Sequence, residues 1–236
     1  MSPEDPAIIV ALDLAHPEAA RELVARLSPT ECRLKVGKEL FLAGGPGLVS
    51  EWVDQGWDVF LDLKFHDIPN TVAAACARAC ELGVWMVNVH TLGGSAMLQA
   101  AREALAGYRV RPWLTGVTIL TSHDATTLDE IGLQGPPEAA VIRLASLAHG
   151  AALDGVVCSA AEAPMIREHF GDSFRCVTPG IRSPEDAADD QRRVMTPWRA
   201  LQAGASDLVV GRPITAAADP AQALSRLRES LASGIG

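Results

Sequence analysis

Short runs rich in valine, isoleucine and leucine alternate with longer alanine-rich stretches of helical period along the whole chain. Apolar runs of strand length separated by segments of period 3.6 mark successive βαβ units. The pattern predicts strands at 7–14, 33–37, 58–65, 86–90, 113–120, 155–159, 175–179 and 208–211. It predicts helices at 17–27, 47–55, 70–82, 95–106, 138–149, 160–169, 197–203 and 220–232. Eight units in 236 residues allot about 30 residues to each, the size of one repeat of an eight-fold barrel. Several strands are nearly continuous apolar runs, as parallel strands covered on both faces are. An open doubly wound sheet carries the same signal. The first strand, however, lacks a GxGxxG turn, and eight regular units close a ring more naturally than they extend a sheet. The expected fold is therefore α/β, a (β/α)8 TIM barrel. No composition shift or Gly/Ser linker divides the chain, so residues 1–236 are expected to form one domain.

Two connections are longer and more polar than the rest, 121–137 and 180–196. Long loops inside a compact domain are usually functional lids or disordered segments. The second contains SPEDAADDQRR, which fits a solvated charge run equally well. Composition narrows the function classes. Twenty basic against 29 acidic side chains leave a net charge of −9, which repels polyanions and argues against a nucleic-acid or anionic-membrane partner. Hydrophobic residues at 48% and charged residues at 21% exclude disorder as the main state. The first 20 residues carry two acids before a short apolar run, and no stretch approaches the roughly 18 apolar residues of a membrane helix. A cytoplasmic location is expected. Five cysteines, Cys32, Cys76, Cys80, Cys158 and Cys176, lack CxxC spacing and are expected as reduced core thiols.

Barrel enzymes carry their active sites at the C-terminal strand ends, so polar residues there are the ones to examine. Asp13 closes the first strand, Lys35 lies in the second, and Asp62, Lys64 and Asp67 lie in or just after the third. Strand alternation puts Asp62 and Lys64 on one face and Leu61, Leu63 and Phe65 on the other. Burying such a pair is expensive, and hydrophobic replacements would avoid the expense, which points to function. A satisfied structural ion pair fits the same spacing. His66 and His90 lie nearest these charges, while His16, His123, His149 and His169 are scattered. No HxH or HExxH spacing occurs, so no metal site is expected. Gly180 after strand seven, with Gly211 and Arg212 after strand eight, fits the phosphate cradle that barrels build from these two loops. Simple turn glycines fit as well.

Taken in order, these segments are ALD at 11–13, KVG at 35–37, DLKFHDIPNT at 62–71, NVH at 88–90, LTS at 120–122, TPGIR at 178–182 and VVGRPI at 209–214. The set resembles the orotidine 5′-phosphate decarboxylase family in its free-standing, bacterial-type form, across nearly the whole chain. The resemblance implies a homodimer that converts orotidine 5′-monophosphate to UMP, the last step of pyrimidine synthesis, with neither metal nor organic cofactor. It implies catalytic roles for Lys35, Asp62, Lys64 and Asp67, with Lys64 stabilising and protonating a carbanion at ring carbon C6. Asp67, Ile68 and Thr71 would reach the partner's site. Asp13 and Lys35 would hold ribose hydroxyls and Thr121 the pyrimidine edge. Gly211 and Arg212 would bind phosphate, with Arg182 and Gln191 closing over it from a lid at about 180–196. Mg2+-dependent sugar-phosphate decarboxylases and synthases have a similar DxKxxD strand, but carry an acid where Lys35 stands. A non-catalytic phosphate-binding barrel would have no use for the charge network.

Overall fold

A computed structural model describes residues 7–181 and 195–234. Eight parallel strands close a barrel in sequential order: β1 (Ile8–Ala11), β2 (Arg33–Gly37), β3 (Val59–Phe65), β4 (Met86–His90), β5 (Trp113–Val117), β6 (Gly155–Val157), β7 (Arg175–Thr178) and β8 (Asp207–Val210). The β1–β8 pairing, Ile8 opposite Leu208, completes the ring. This is the (β/α)8 barrel that the alternation predicts. The principal helices are α1 (Pro17–Val24), α2 (Lys38–Asp54), α3 (Pro69–Glu81), α4 (Gly94–Ala104), α5 (Ala125–Glu130), α6 (Pro137–Gly150), α7 (Ala163–Phe170), α8 (Pro197–Gln202), α9 (Arg212–Thr215) and α10 (Pro220–Ser233). Proline within the first turn, where an N–H has no helical partner, starts several of them, and the Asp124, Thr196 and Asp219 side chains cap α5, α8 and α10.

The larger apolar layer lies between strands and helices and holds Leu34, Trp52, Leu61, Leu98 and Leu208, all fully buried. A smaller cluster fills the barrel axis: Ile9, Ala11, Phe60, Met86, Val177 and Val209. Below it, at the N-terminal strand ends, Asp207 bonds Arg175 at 2.8 Å and stands 3.6 Å from Arg33. Arg33 stacks on Trp85, and Arg175 on Trp113. The axis is thus charged at both ends and apolar in the middle.

Two connections differ from expectation. The second helix begins at Lys38, nine residues early, and is broken at Gly45 (φ 66°) and Pro46, where the sequence reads as a loop. The polar segment 121–137 contains α5, which buries little but Leu128. All five cysteines are buried and free, and burial pushes the Cys32 and Cys76 thiols up to about 12, beyond useful reactivity. No helix among the described residues is long and apolar enough to cross a membrane.

Candidate active site

The site is a row of charges at the C-terminal mouth. Inward positions on β2 and β3, together with the residue two beyond β1, supply Lys35, Asp62 and Asp13. Lys35 Nζ donates to Asp13 Oδ1 at 2.9 Å and lies 3.3 Å from Asp62 Oδ2. Lys64 Nζ donates to Asp62 Oδ1 at 2.6 Å. The series therefore alternates in sign, Asp13, Lys35, Asp62, Lys64. Exposure rises from 9% and 12% at the Lys35 and Asp62 side chains to 25% at Lys64, so the last cation is the more exposed of the two.

Charge holds charge in this row. Burial alone would discharge Asp62, but Lys35, Lys64 and hydrogen bonds from Lys64 and Asn88 outweigh it and hold the carboxyl below its ordinary range. Burial likewise opposes the Lys35 ammonium, and Asp62 and Asp13 overcome it and raise the value. Both groups stay ionised at neutral pH.

The local backbone is not the simple alternation that the sequence predicts. Leu61 pairs with Val87 and Phe65 with Val89, so Asp62, Leu63 and Lys64 on β3 face Asn88 alone on β4. Lys64 takes up the surplus with a φ of 53°, uncommon for a residue with a side chain. Asn88 fills the gap. Its Oδ1 accepts from the Lys64 backbone N–H at 2.8 Å, and its Nδ2 donates to Asp62 Oδ1 at 2.7 Å. Asp62 and Lys64 still share the inner face, while Leu63 and Phe65 pack against the outer layer.

Two joined cavities open from these charges. One, of about 420 Å³, runs from Lys35, Asp62 and Lys64 past Asp13 to Gly180, Gly211 and Arg212. The other, of about 220 Å³, is lined by apolar Phe60, Val117 and Ile119 together with Thr121 and Ser122. The arrangement is polar at one end and more apolar at the other, with Lys35, Asp62 and Lys64 lining both. Gly37, seen in the sequence only as part of the KVG segment, and Lys38, which escaped the sequence reading, also line the larger cavity. A Cβ at Gly37 would lie 3.3 Å from Lys35 Nζ and 3.4 Å from Asp13 Oδ1. Asn88 stands within the NVH segment but had no role assigned to it, although a polar residue at an inward position of the otherwise apolar β4 was a legible signal.

The remaining expected residues are distributed as follows. Asp67 and Ile68, on the turn leading into α3, and Thr71, in its first turn, are exposed and line neither cavity of their own chain. Asp67 Oδ1 accepts from the Ile68 backbone N–H at 2.6 Å and does not join the charge row within one chain. Arg182 and Gln191 lie outside the described residues. His90 closes β4 with its ring 5.6 Å from that of His66. Burial, with His66, Lys64, Lys38 and His123 nearby, pushes its imidazole down to about 4. Among the described residues, no three His, Cys, Asp or Glu side chains are grouped to share a metal ion.

A closed (β/α)8 barrel with alternating charges at its C-terminal mouth and glycines in the loops after β7 and β8 defines a class, the barrel enzymes that act on phosphate esters. A model of the orotidine 5′-phosphate decarboxylase / HUMPS family matches residues 6–227, and the chain belongs to that family. It is 59% identical over 226 residues to the orotidine 5′-phosphate decarboxylase of Alkalilimnicola ehrlichii, covering 96% of each chain. It is 56% identical over 231 residues to that of Halorhodospira halophila, covering 98% of each. The crystal structure of orotidine 5′-phosphate decarboxylase from Lactobacillus acidophilus superposes with a TM-score of 0.86 at 39% identity, over 96% of this chain and 99% of that one.

Proposed function

We propose that this chain removes CO2 from orotidine 5′-monophosphate to give UMP. The observation that carries the reading is the Asp13–Lys35–Asp62–Lys64 row facing a divided cavity, in a chain whose relatives bear that enzyme's name at 56–59% identity. A pyrimidine fits the smaller apolar cavity beside Thr121. The ribose hydroxyls meet Asp13 and Lys35, and the phosphate meets Gly211 and Arg212. Arg182 and Gln191, which the family resemblance assigns to the same phosphate, lie outside the described residues.

The chemistry follows from the charges. The bond from C6 to the carboxylate breaks, its electron pair stays on C6, and CO2 departs. No conjugated system accepts that pair, so a fixed cation must. The Lys64 ammonium attracts the carbanion more strongly than the ground state and then gives it a proton; the resulting amine regains one from water. This is stabilisation specific to the transition state. Asp62 holds Lys64 in place and stands near the departing carboxylate. Remote phosphate binding drives closure and excludes water. The enzyme is a cytoplasmic homodimer in which Asp67, Ile68 and Thr71 complete the partner's site.

The test is purified protein treated with EDTA, mixed with orotidine 5′-monophosphate and followed by ultraviolet absorbance. Conversion to UMP without added metal is expected. No conversion, with activity only on a sugar phosphate plus Mg2+, would overturn the proposal.

A further inference from the structure

Asn88 is fully buried, and its side-chain amide bonds to the two residues on which the chemistry depends. Its placement is specific. Between the pairs Leu61–Val87 and Phe65–Val89, three residues of β3 stand against one of β4, so the regular ladder has no carbonyl to offer the Lys64 N–H. The Asn88 Oδ1 takes that proton at 2.8 Å. The Nδ2 of the same amide reaches the Asp62 oxygen that also receives Lys64 Nζ. One rigid planar group therefore holds the backbone of the cation and the side chain of the anion. An amide that served only barrel stability would be equally satisfied by ladder N–H and carbonyl groups.

We propose that Asn88 is a positioning residue for the decarboxylation, fixing Lys64 in its left-handed conformation and orienting the Asp62 carboxylate so that the ammonium stands at one place on the cavity wall. The proposal rests on the function given above. A buried network in which every member is satisfied specifies a single geometry, and a displacement of about 1 Å is enough to cost a site much of its rate.

The groups that face Asp62 are Lys35 from β2, Lys64 from its own strand and Asn88 from β4, with Asp13 beyond Lys35. Asn88 is the neutral donor among them. Exchanging it for a carboxylate of the same shape keeps an acceptor for the Lys64 N–H but replaces the donor with a second acid, and two adjacent acids share a proton. Asn88→Asp is therefore the discriminating variant, and Asn88→Ala, which removes both bonds, is its companion.

In Asn88→Asp, kcat should fall at least about tenfold with KM held within about threefold, and the acid limb of kcat/KM should move up by about one pH unit. A second readout needs no turnover. In protein labelled with 13C at aspartate carboxyls, with Asp62 assigned through Asp62→Asn, the Asp62 midpoint should rise in both variants. A merely structural role would lower their thermal stability and leave kcat per folded chain and the acid limb where they were; that result overturns the proposal, and so does an Asp62 midpoint unmoved in both variants. So does loss of the fold in both variants, and if only Asn88→Ala fails to fold, Asn88→Asp decides. A wild-type protein inert toward orotidine 5′-monophosphate would instead overturn the function, leaving the labelled titration to judge Asn88.

Discussion

Lys64 combines a φ of 53° with a carboxylate 2.6 Å from its ammonium, so both its backbone and its charge are held rather than free. If that cation supplies both the field and the proton at C6, Lys64→Ala removes two contributions at once. Turnover of orotidine 5′-monophosphate should then fall by more than about 10³-fold. The fold should survive, because Asp62 keeps Lys35 and Asn88 as partners; circular dichroism checks this, and appreciable residual decarboxylation would remove Lys64 from the role. His90 makes a different prediction. Its buried Nδ1 has no hydrogen-bond partner, and its value lies near 4 against an ordinary 6.5. A histidine depressed by folding leaves the protein's stability complete above its unfolded value, and that stability is lost as pH falls from 6.5 toward 4, when the unfolded chain takes up a proton that the folded chain refuses. The loss should be about 2 kcal/mol, discounted for the partial exposure of the ring. Urea unfolding at about pH 7 and about pH 4.5 should show it in the wild type and much less of it in His90→Gln. Equal slopes in the two proteins would sink the assignment.

At the level of strands and helices, the two ends of the barrel do different work. The first residues of β2, β7 and β8 are Arg33, Arg175 and Asp207, and Asp207 is 1% exposed between the two guanidiniums. Removing one partner of a buried ion pair costs about 3–5 kcal/mol, because the remaining charges stay desolvated. Asp207→Ala should therefore lower the unfolding free energy by that amount while leaving kcat per folded chain unchanged; a loss below about 1 kcal/mol would show the lower cluster to be dispensable. Legibility in the sequence divides along similar lines. The eight strands were readable because each is an apolar run of strand length, and Asp13, Lys35, Asp62 and Lys64 were readable because they interrupt such runs at inward positions. The bulge at Lys64 was not, since a period of two cannot encode three residues facing one. The start of α2 was hidden by Gly44, Gly45 and Pro46, which read as a loop and are in fact a kink. The helix α5 was hidden because six residues with little beyond Leu128 to bury show no apolar stripe, and its Asp124 cap was the available signal.

For the whole molecule, the proposed homodimer sets conditions on how two chains would meet. A net charge of −9 sets copies of this protein against one another at long range, but at physiological salt that repulsion fades beyond about 8 Å. In a homodimer, attraction would then come from apolar surface at short range. The mouth offers some, since Ile68, just beyond β3, is 66% exposed and Leu92, just beyond β4, is 37% exposed. Asp67, Ile68 and Thr71 line neither cavity of their own chain, as expected if they serve a neighbour across a two-fold interface. In that arrangement each site takes Lys64 from one chain and Asp67 from the other. Lys64→Ala and Asp67→Ala chains, each inactive as homodimers, then form heterodimers with one doubly defective site and one intact site. Random exchange makes half the dimers heterodimers, so the mixture should recover about a quarter of wild-type activity. Sites built within single chains would each keep one defect at any mixing ratio, and mixing would restore nothing. Verified subunit exchange without recovery would thus return Asp67 to its own chain, where its carboxylate does no more than accept the Ile68 N–H.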